Sequence, residues 1–197
     1  MKKIIPCALL AAMAASVGAH ADTTYFFDGV FGETSQKNSI DGYDAISTTE
    51  NSRGIRTGFY LNRVLGVEFV KMDYGEGKDS FVNLSSNTIT NTLDTGWTGV
   101  GLQGAISLGH MTKLVGRIGM AAWETKFTEA DSSAPGILYK DKDQGVDAYV
   151  GLGLRFDVED NVRIAVEYEN MNFSATIGAA ETDHNIHSVG ISLGVLF

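Results

Sequence analysis

SVGISLGVLF, residues 188–197, decides the fold. Every second residue is apolar: Val189, Ile191, Leu193, Val195 and Phe197 fall on one face, and Ser188, Gly190, Ser192 and Gly194 on the other. A period of two is the signature of a strand, because successive side chains leave opposite faces. The same alternation recurs upstream. Val150, Leu152, Leu154, Phe156 and Val158 alternate with Tyr149, Gly151, Gly153, Arg155 and Asp157. Val162, Ile164, Val166 and Tyr168 alternate with Arg163, Ala165, Glu167 and Glu169, and Val100, Leu102, Ile106 and Leu108 with Gly101, Gln103, Ala105 and Ser107.

Eight such segments cover the chain: Thr24–Thr34, Arg53–Asn62, Val64–Tyr74, Gly96–Leu108, Lys113–Phe127, Asp147–Val158, Val162–Met171 and Ile186–Phe197. Long polar links join the first to the second, the third to the fourth, the fifth to the sixth and the seventh to the eighth. Short turns join the rest, around Asn62-Arg63, Gly109-His110-Met111-Thr112 and Glu159-Asp160-Asn161. Strict alternation of long and short links, with an even strand count, is the pattern of an all-β, eight-stranded antiparallel up-and-down transmembrane barrel whose two rims face different compartments. Periodicity alone does not say whether the apolar face is in or out. The closing strand, the link pattern and the N-terminus together favour an outward apolar face against lipid.

The N-terminus has the form of a secretory signal peptide: Lys2 and Lys3, an apolar run from Ile4 to about Val17, then Ala19-His20-Ala21 with small residues at the cleavage positions. The expected division is a signal peptide over residues 1–21 and one barrel domain over 22–197. A membrane-anchoring helix fits less well, since the apolar run is shorter than the roughly 20 residues that span a bilayer. Cys7 stands at the front of that run, not at its end as in a lipoprotein. Loss of Lys2 and Lys3 takes the 15 basic residues to 13 against 24 acidic ones, a formal net charge of −11, and removes the single cysteine. No disulfide framework is expected. Nor is a nucleic-acid partner, because phosphate binding needs a basic surface.

Alternation places Asp28, Arg56, Glu68, Arg117, Arg155, Arg163, Glu167 and Glu169 on the inward face. An eight-stranded barrel is just wide enough to be filled by side chains, and buried charges are tolerated when paired. Four acids and four bases make a balanced ion-pair plug. The outward charges Glu33, Lys71 and Glu124 lie toward the long-link ends, at the level of lipid headgroups. Trp97, Trp123 and Tyr149 fall inward by parity. A bulge would reverse them, and the tryptophans are assigned to the outward aromatic girdle.

The chain resembles the OmpA-type small outer-membrane barrel family, OmpX-like members included. The resemblance rests on LGVEFVKMDYG from Leu65, GRIGMAAWETKF from Gly116, YVGLGLRFDVEDNVRIAVEYENM from Tyr149 and the closing strand from Ser188. It implies a bacterial outer-membrane location, periplasmic termini, outward long loops and interior ion pairs, with Glu68, Arg117 and Glu167 at positions where the family places interior charge. It also implies that Val189, Ile191, Leu193, Val195 and Phe197 form the signal read by the barrel-assembly machinery. Unlike many members, the chain stops at Phe197, so the peptidoglycan-binding domain and its anchoring role are not expected.

Catalytic patterns are thin. A hydrolase needs a nucleophile, base and orienting acid within reach. His110 falls in a short turn, and His184 and His187 start the last strand as rim histidines. His187 and Ser188 are adjacent and so point to opposite faces. The His-x-Ser arrangement expected of a lipid A deacylase barrel is missing. The aspartates of Asp141-Lys142-Asp143-Gln144-Gly145-Val146-Asp147, in the third long loop, lack the bidentate glutamate of a calcium loop and read as a solvated acidic loop. No catalytic residue, metal or cofactor is expected. The expected function is that of a structural or interaction protein showing four loops on a plugged barrel, in contact with lipid, lipopolysaccharide and an unidentified extracellular ligand. A narrow channel is the alternative, and a lipid A-modifying enzyme the third reading.

Overall fold

A chain that alternates along its whole length forms strands along its whole length. The computed structural model describes residues 23–197 apart from 41–42, 84, 135 and 178–179. The proposed signal peptide over 1–21 lies outside the described residues. Eight strands follow in order: β1 Tyr25–Ile40, β2 Tyr43–Tyr60, β3 Leu65–Val82, β4 Thr88–Ser107, β5 Thr112–Asp131, β6 Leu138–Asp157, β7 Val162–Ile177 and β8 Ala180–Leu196. Each pairs antiparallel with its chain neighbour, and β1 pairs with β8, closing an up-and-down barrel. Closure satisfies both edges. Phe26 faces Leu196 in register, and Tyr25 and Phe197 exchange backbone hydrogen bonds of 2.8 and 3.0 Å.

At one rim the turns are tight and fall where the sequence places them. In the first, the Asn62 side chain accepts hydrogen bonds from the backbone of Val64 and Leu65. At the other rim the strands run much further than their alternation suggests. Arg53–Asn62 becomes Tyr43–Tyr60, and Asp147–Val158 becomes Leu138–Asp157. The long polar links are therefore mostly paired strand, and the run from Asp141 to Asp147 lies in β6, not in a loop. Polar side chains on both faces hide the period of two, while the backbone ladder continues regardless.

The extended part is not a complete cylinder. The β2–β3 ladder ends at Arg53↔Asp73, and the β6–β7 ladder ends at Tyr149↔Met171. The other ladders reach the top, through Ile40↔Tyr43, Ser39↔Asp183, Ile177↔Ala180, Val82↔Thr88, Ile89↔Asp131 and Ala130↔Leu138. Above the two end points the barrel divides into two four-stranded sheets, β7-β8-β1-β2 and β3-β4-β5-β6. Their seams lie on opposite sides. The first begins at an irregularity between Asp73 and Glu76, where Gly75 has φ +76° and its amide donates to the Asp73 carboxylate at 3.0 Å. Only glycine takes that backbone angle readily, and the ladder to β2 stops there, although Gly75 and Gly77 still pack against Asn51 and Thr48 of β2.

Side chains sort as in a barrel turned inside out. Phe31, Ile55, Phe69, Leu102, Ile106, Ile118, Leu152, Val166 and Leu193 point outward and are exposed, while Asp28, Arg56, Glu68, Arg117, Arg155, Arg163, Glu167 and Glu169 are buried inside. An exposed apolar belt around a polar interior needs a lipid solvent. On β8 the belt runs from Val195 up to Val189; above it His187, Asn185 and Asp183 face out among other polar side chains.

Candidate functional site

The interior is the candidate site, and its layers follow from strand parity and strand stagger. Nearest the tight-turn rim, Arg163 at the start of β7 grips Asp28 of β1 with two parallel bonds, Nε–Oδ1 2.7 Å and Nη2–Oδ2 2.6 Å. Its guanidinium lies 4.4 Å above the Phe26 ring. Arg163 also donates to the Tyr60 hydroxyl at 2.5 Å, and Arg155 donates to the same oxygen. Arg155 pairs with Asp157 at 3.2 Å, and Lys113 with Asp157 at 2.7 Å.

Above this lies a second cluster. Arg56 reaches Glu167 at 2.6 Å, Glu68 at 3.4 Å and Glu169 at 3.5 Å. Arg117 reaches Glu167 at 2.7 Å and Glu68 at 3.2 Å. Hydroxyl groups fill the remaining acceptor positions. Tyr149 donates to Glu68 at 2.8 Å, Tyr74 to Glu169 at 2.9 Å and Ser192 to Glu167 at 3.0 Å, and the Trp97 indole donates to the Tyr74 hydroxyl at 2.7 Å. All five ionisable side chains are buried. A buried carboxylate is tolerable when its lone pairs are met by cations and donors, and here each carboxylate has at least two. The aromatic residues need room on the strands beside them. A Cβ at Gly101 or Gly119 would collide with Tyr149, and one at Gly145 with Trp123.

The eight inward charges thus form two clusters. Arg56, Arg117, Glu68, Glu167 and Glu169 meet in the middle of the barrel; Asp28, Arg163 and Arg155 meet below, joined through Tyr60. Tyr60, Tyr74 and Lys113 are partners the charge count passed over. The parity that places Arg56 inward on β2 also points Tyr60 inward, and the parity of Glu68 on β3 does the same for Tyr74.

Two assignments are corrected higher up. Trp97 and Trp123 are buried in the lumen at 3 % exposure each and do not belong to an outward girdle. No bulge interrupts β4 or β5 between them and the inward glycines, so plain parity holds. His184 is not a rim residue either. It is buried and stacks on Phe173 at 4.7 Å, and Phe173 stacks on Trp123 at 4.1 Å. His184 lies above the apolar belt, and burial holds its imidazole down to about 4, with Asp183 and Asp143 pulling the other way. At neutral pH it is an uncharged ring. His187 points outward against the Tyr168 hydroxyl at 2.5 Å, while Ser188 points inward to the Thr34 hydroxyl at 3.0 Å. The two are on opposite faces, as alternation requires.

Among the described residues, no three His, Cys, Asp or Glu side chains converge to hold a metal ion. A recess of about 900 Å³ lies on the outer wall, lined by Phe31, Val189 and Ile191 with Arg53, Asp73 and Gly75 at one end. Its chemistry is that of the belt, and the Arg53–Asp73 pair beside it is exposed at 3.3 Å. The lumen holds the unusual chemistry.

A model of the outer membrane protein beta-barrel domain matches residues 5–197. No curated protein sequence matches the chain. Among solved structures it is similar to OprG of Pseudomonas aeruginosa, with a TM-score of 0.57, 14% identity, and 90% of this chain and 97% of that chain covered. It is also similar to Ail of Yersinia pestis, determined with the heparin analogue sucrose octasulfate, at TM-score 0.54, 15% identity, and 88% and 99% coverage. The N-terminal β-barrel domain of P. aeruginosa OprF follows at TM-score 0.53, 13% identity, and 88% and 97% coverage. At such identities the likeness is one of fold.

Proposed function

Because the chain belongs to the outer membrane protein beta-barrel domain family and so resides in the outer membrane, we propose that it is a surface interaction protein: a plugged barrel that carries two β-sheets with free edges above the bilayer. In this reading the tight-turn rim and both termini are periplasmic, residues 1–21 direct export, and Val189, Ile191, Leu193, Val195 and Phe197 are read by the barrel-assembly machinery. The extended rim then faces the outside, beyond lipopolysaccharide.

One observation carries the reading, the contrast between the two halves. Below, every strand is paired and the lumen is crossed by interlocked ion pairs. Above, β2, β3, β6 and β7 each leave an edge without a ladder partner, among the described residues, for the length of the extended sheets. A row of unpaired backbone groups is a template for another extended chain. Asp143 occupies one such site, accepting a hydrogen bond from the Thr176 amide across the β6–β7 seam at 2.6 Å. Ail holds a sulfated sugar in its structure. The acidic inward face of β6 does not suit such an anion.

Trimming the sheets tests the proposal. Residues 128–140 are replaced by a two-residue turn joining Phe127 and Asp141, which are register partners. Cells carrying the full chain should be retained on serum-coated glass, and cells with the trimmed chain should not, while both proteins keep the heat-dependent gel shift of a folded barrel. Equal retention of both would overturn it. Stable single-channel conductance of the purified protein in planar bilayers would favour a channel. A change in lipopolysaccharide mass that His187→Ala abolishes would favour an enzyme.

A further inference from the structure

We propose that the upper lumen, where β6 faces β7, β8 and β1, binds a linear polyamine. Three sets of side chains meet there.

The first is acidic. β6 sorts its charges by face: Asp143 and Asp147 point inward, while Lys140 and Lys142 point outward, Lys142 to an ion pair with Glu124 at 2.6 Å. The other upper lysines and arginines also face out, among them Lys37, Arg53, Lys78 and Lys126. Asp143 accepts from the Thr176 amide, and Asp147 from the Trp123 indole at 2.7 Å, but no cation reaches either carboxylate among the described residues. Above the Arg56 and Arg117 layer the lumen has anions without counter-charge.

The second set is buried beside the first and consists of groups able to accept. Asn38 Oδ1, Thr182 Oγ1 and His184 Nε2 receive no hydrogen bond among the described residues, and their residues are at most 2 % exposed. Asn38 is opposite His184 in the β1–β8 register, and the charge of Asp143 is felt at His184. Buried acceptors without donors cost free energy. Water would satisfy them but would leave the carboxylates unneutralised. A cation rich in N–H groups does both.

The third set is the Trp123–Phe173–His184 stack, which offers aromatic faces to a cation and apolar surface to a methylene chain. Spacing then selects the ligand. Asp143 and Asp147 are four residues apart on one strand, so their backbones are separated by about 13 Å. Two carboxylates so placed do not converge on one metal ion, but they match ammonium groups at the ends of an extended aliphatic chain. The open β6–β7 seam above Tyr149 gives the chain a way in.

The test uses the full protein refolded in detergent micelles at low ionic strength, titrated with spermidine and followed by calorimetry and tryptophan fluorescence. Saturable one-to-one binding with a change in emission is expected, because Trp123 donates to Asp147. Asp143→Asn with Asp147→Asn should weaken it by about tenfold or more, as when a desolvated charge pair is broken. Asn38→Leu removes an acceptor without changing charge and should weaken it less; this variant keeps the proposal testable if the double variant does not fold. Glu124→Gln, on the outer face, should bind as the unaltered chain does. Absence of saturable binding, equal loss with Glu124→Gln, or tighter binding of calcium or magnesium than of spermidine would each overturn the proposal. The assay needs no cells, so its failure is separate from failure of the surface reading.

Discussion

The lower and upper halves of this barrel solve one problem in opposite ways. Each must fill an interior that a polar face lines. The lower half fills it with charge and pairs the charge: two arginines and three glutamates interlock, and tyrosine and serine hydroxyls add donors, although buried Gln103 has no partner for either side-chain amide atom among the described residues. The upper half leaves acceptors unmet, anions unpaired and two ladders unfinished. A buried ionic network is weak evidence for net stability, but breaking one partner is costly. The lower half should therefore be brittle toward mutation and the upper half more tolerant.

The comparison is broken most directly at Arg56. Arg56→Met leaves Glu68 and Glu167 to Arg117, and Glu169 without a paired cation, and should lower stability by about 3–5 kcal/mol, read by urea unfolding in lipid vesicles; a loss below about 1 kcal/mol would mean that the cluster is not desolvated. Tyr149→Phe removes one donor to Glu68 and should cost about 1.5–3 kcal/mol, the range for hydrogen bonds to charged groups. Gly119→Val, which forces a side chain into the space of Tyr149, should cost about 1–3 kcal/mol by overpacking.

The upper half should behave otherwise. Asn38→Leu replaces an unpartnered acceptor and should leave stability unchanged or raise it by up to about 1 kcal/mol. Hydrogen exchange sharpens the contrast without mutation: amides of residues 138–148 that point toward β7 should exchange far faster than those of residues 149–157. The smallest effect is in acid. His184 has its proton affinity lowered to about 4 in the folded chain, so the unfolded chain binds more protons between its ordinary value and that figure. Its contribution is intact above pH 6.5 and is lost as pH falls toward 4. Melting temperature should fall from pH 7 to pH 5 in the unaltered protein by more than in His184→Phe.

Strand number, strand order and tight turns were legible in the sequence because lipid on one side and charge on the other impose a period of two wherever the wall crosses the bilayer. The period fades where both faces meet water, so β2 was read from Arg53 although it starts at Tyr43, and the Asp141–Asp147 run was read as a loop. Parity alone points Trp97 and Trp123 inward; an outward girdle position requires a bulge, and the unbroken β4–β5 ladder has none there. The inward placement of all eight charges followed from alternation. Their division into two clusters did not, because which charges meet across the lumen depends on strand stagger.

The amino-acid sequence by itself determined a closed eight-stranded wall, its apolar outside, its charged inside and the residues on each face, since these depend on local alternation and on the absence of any other way for strands to cross lipid. Only the tertiary structure decided which arginine meets which glutamate, that the β2–β3 and β6–β7 ladders stop halfway, and that Asp143 comes close enough to His184 of β8 for its charge to act there. Those facts depend on the relative register of strands far apart in the chain, which is set by closing the whole barrel at once.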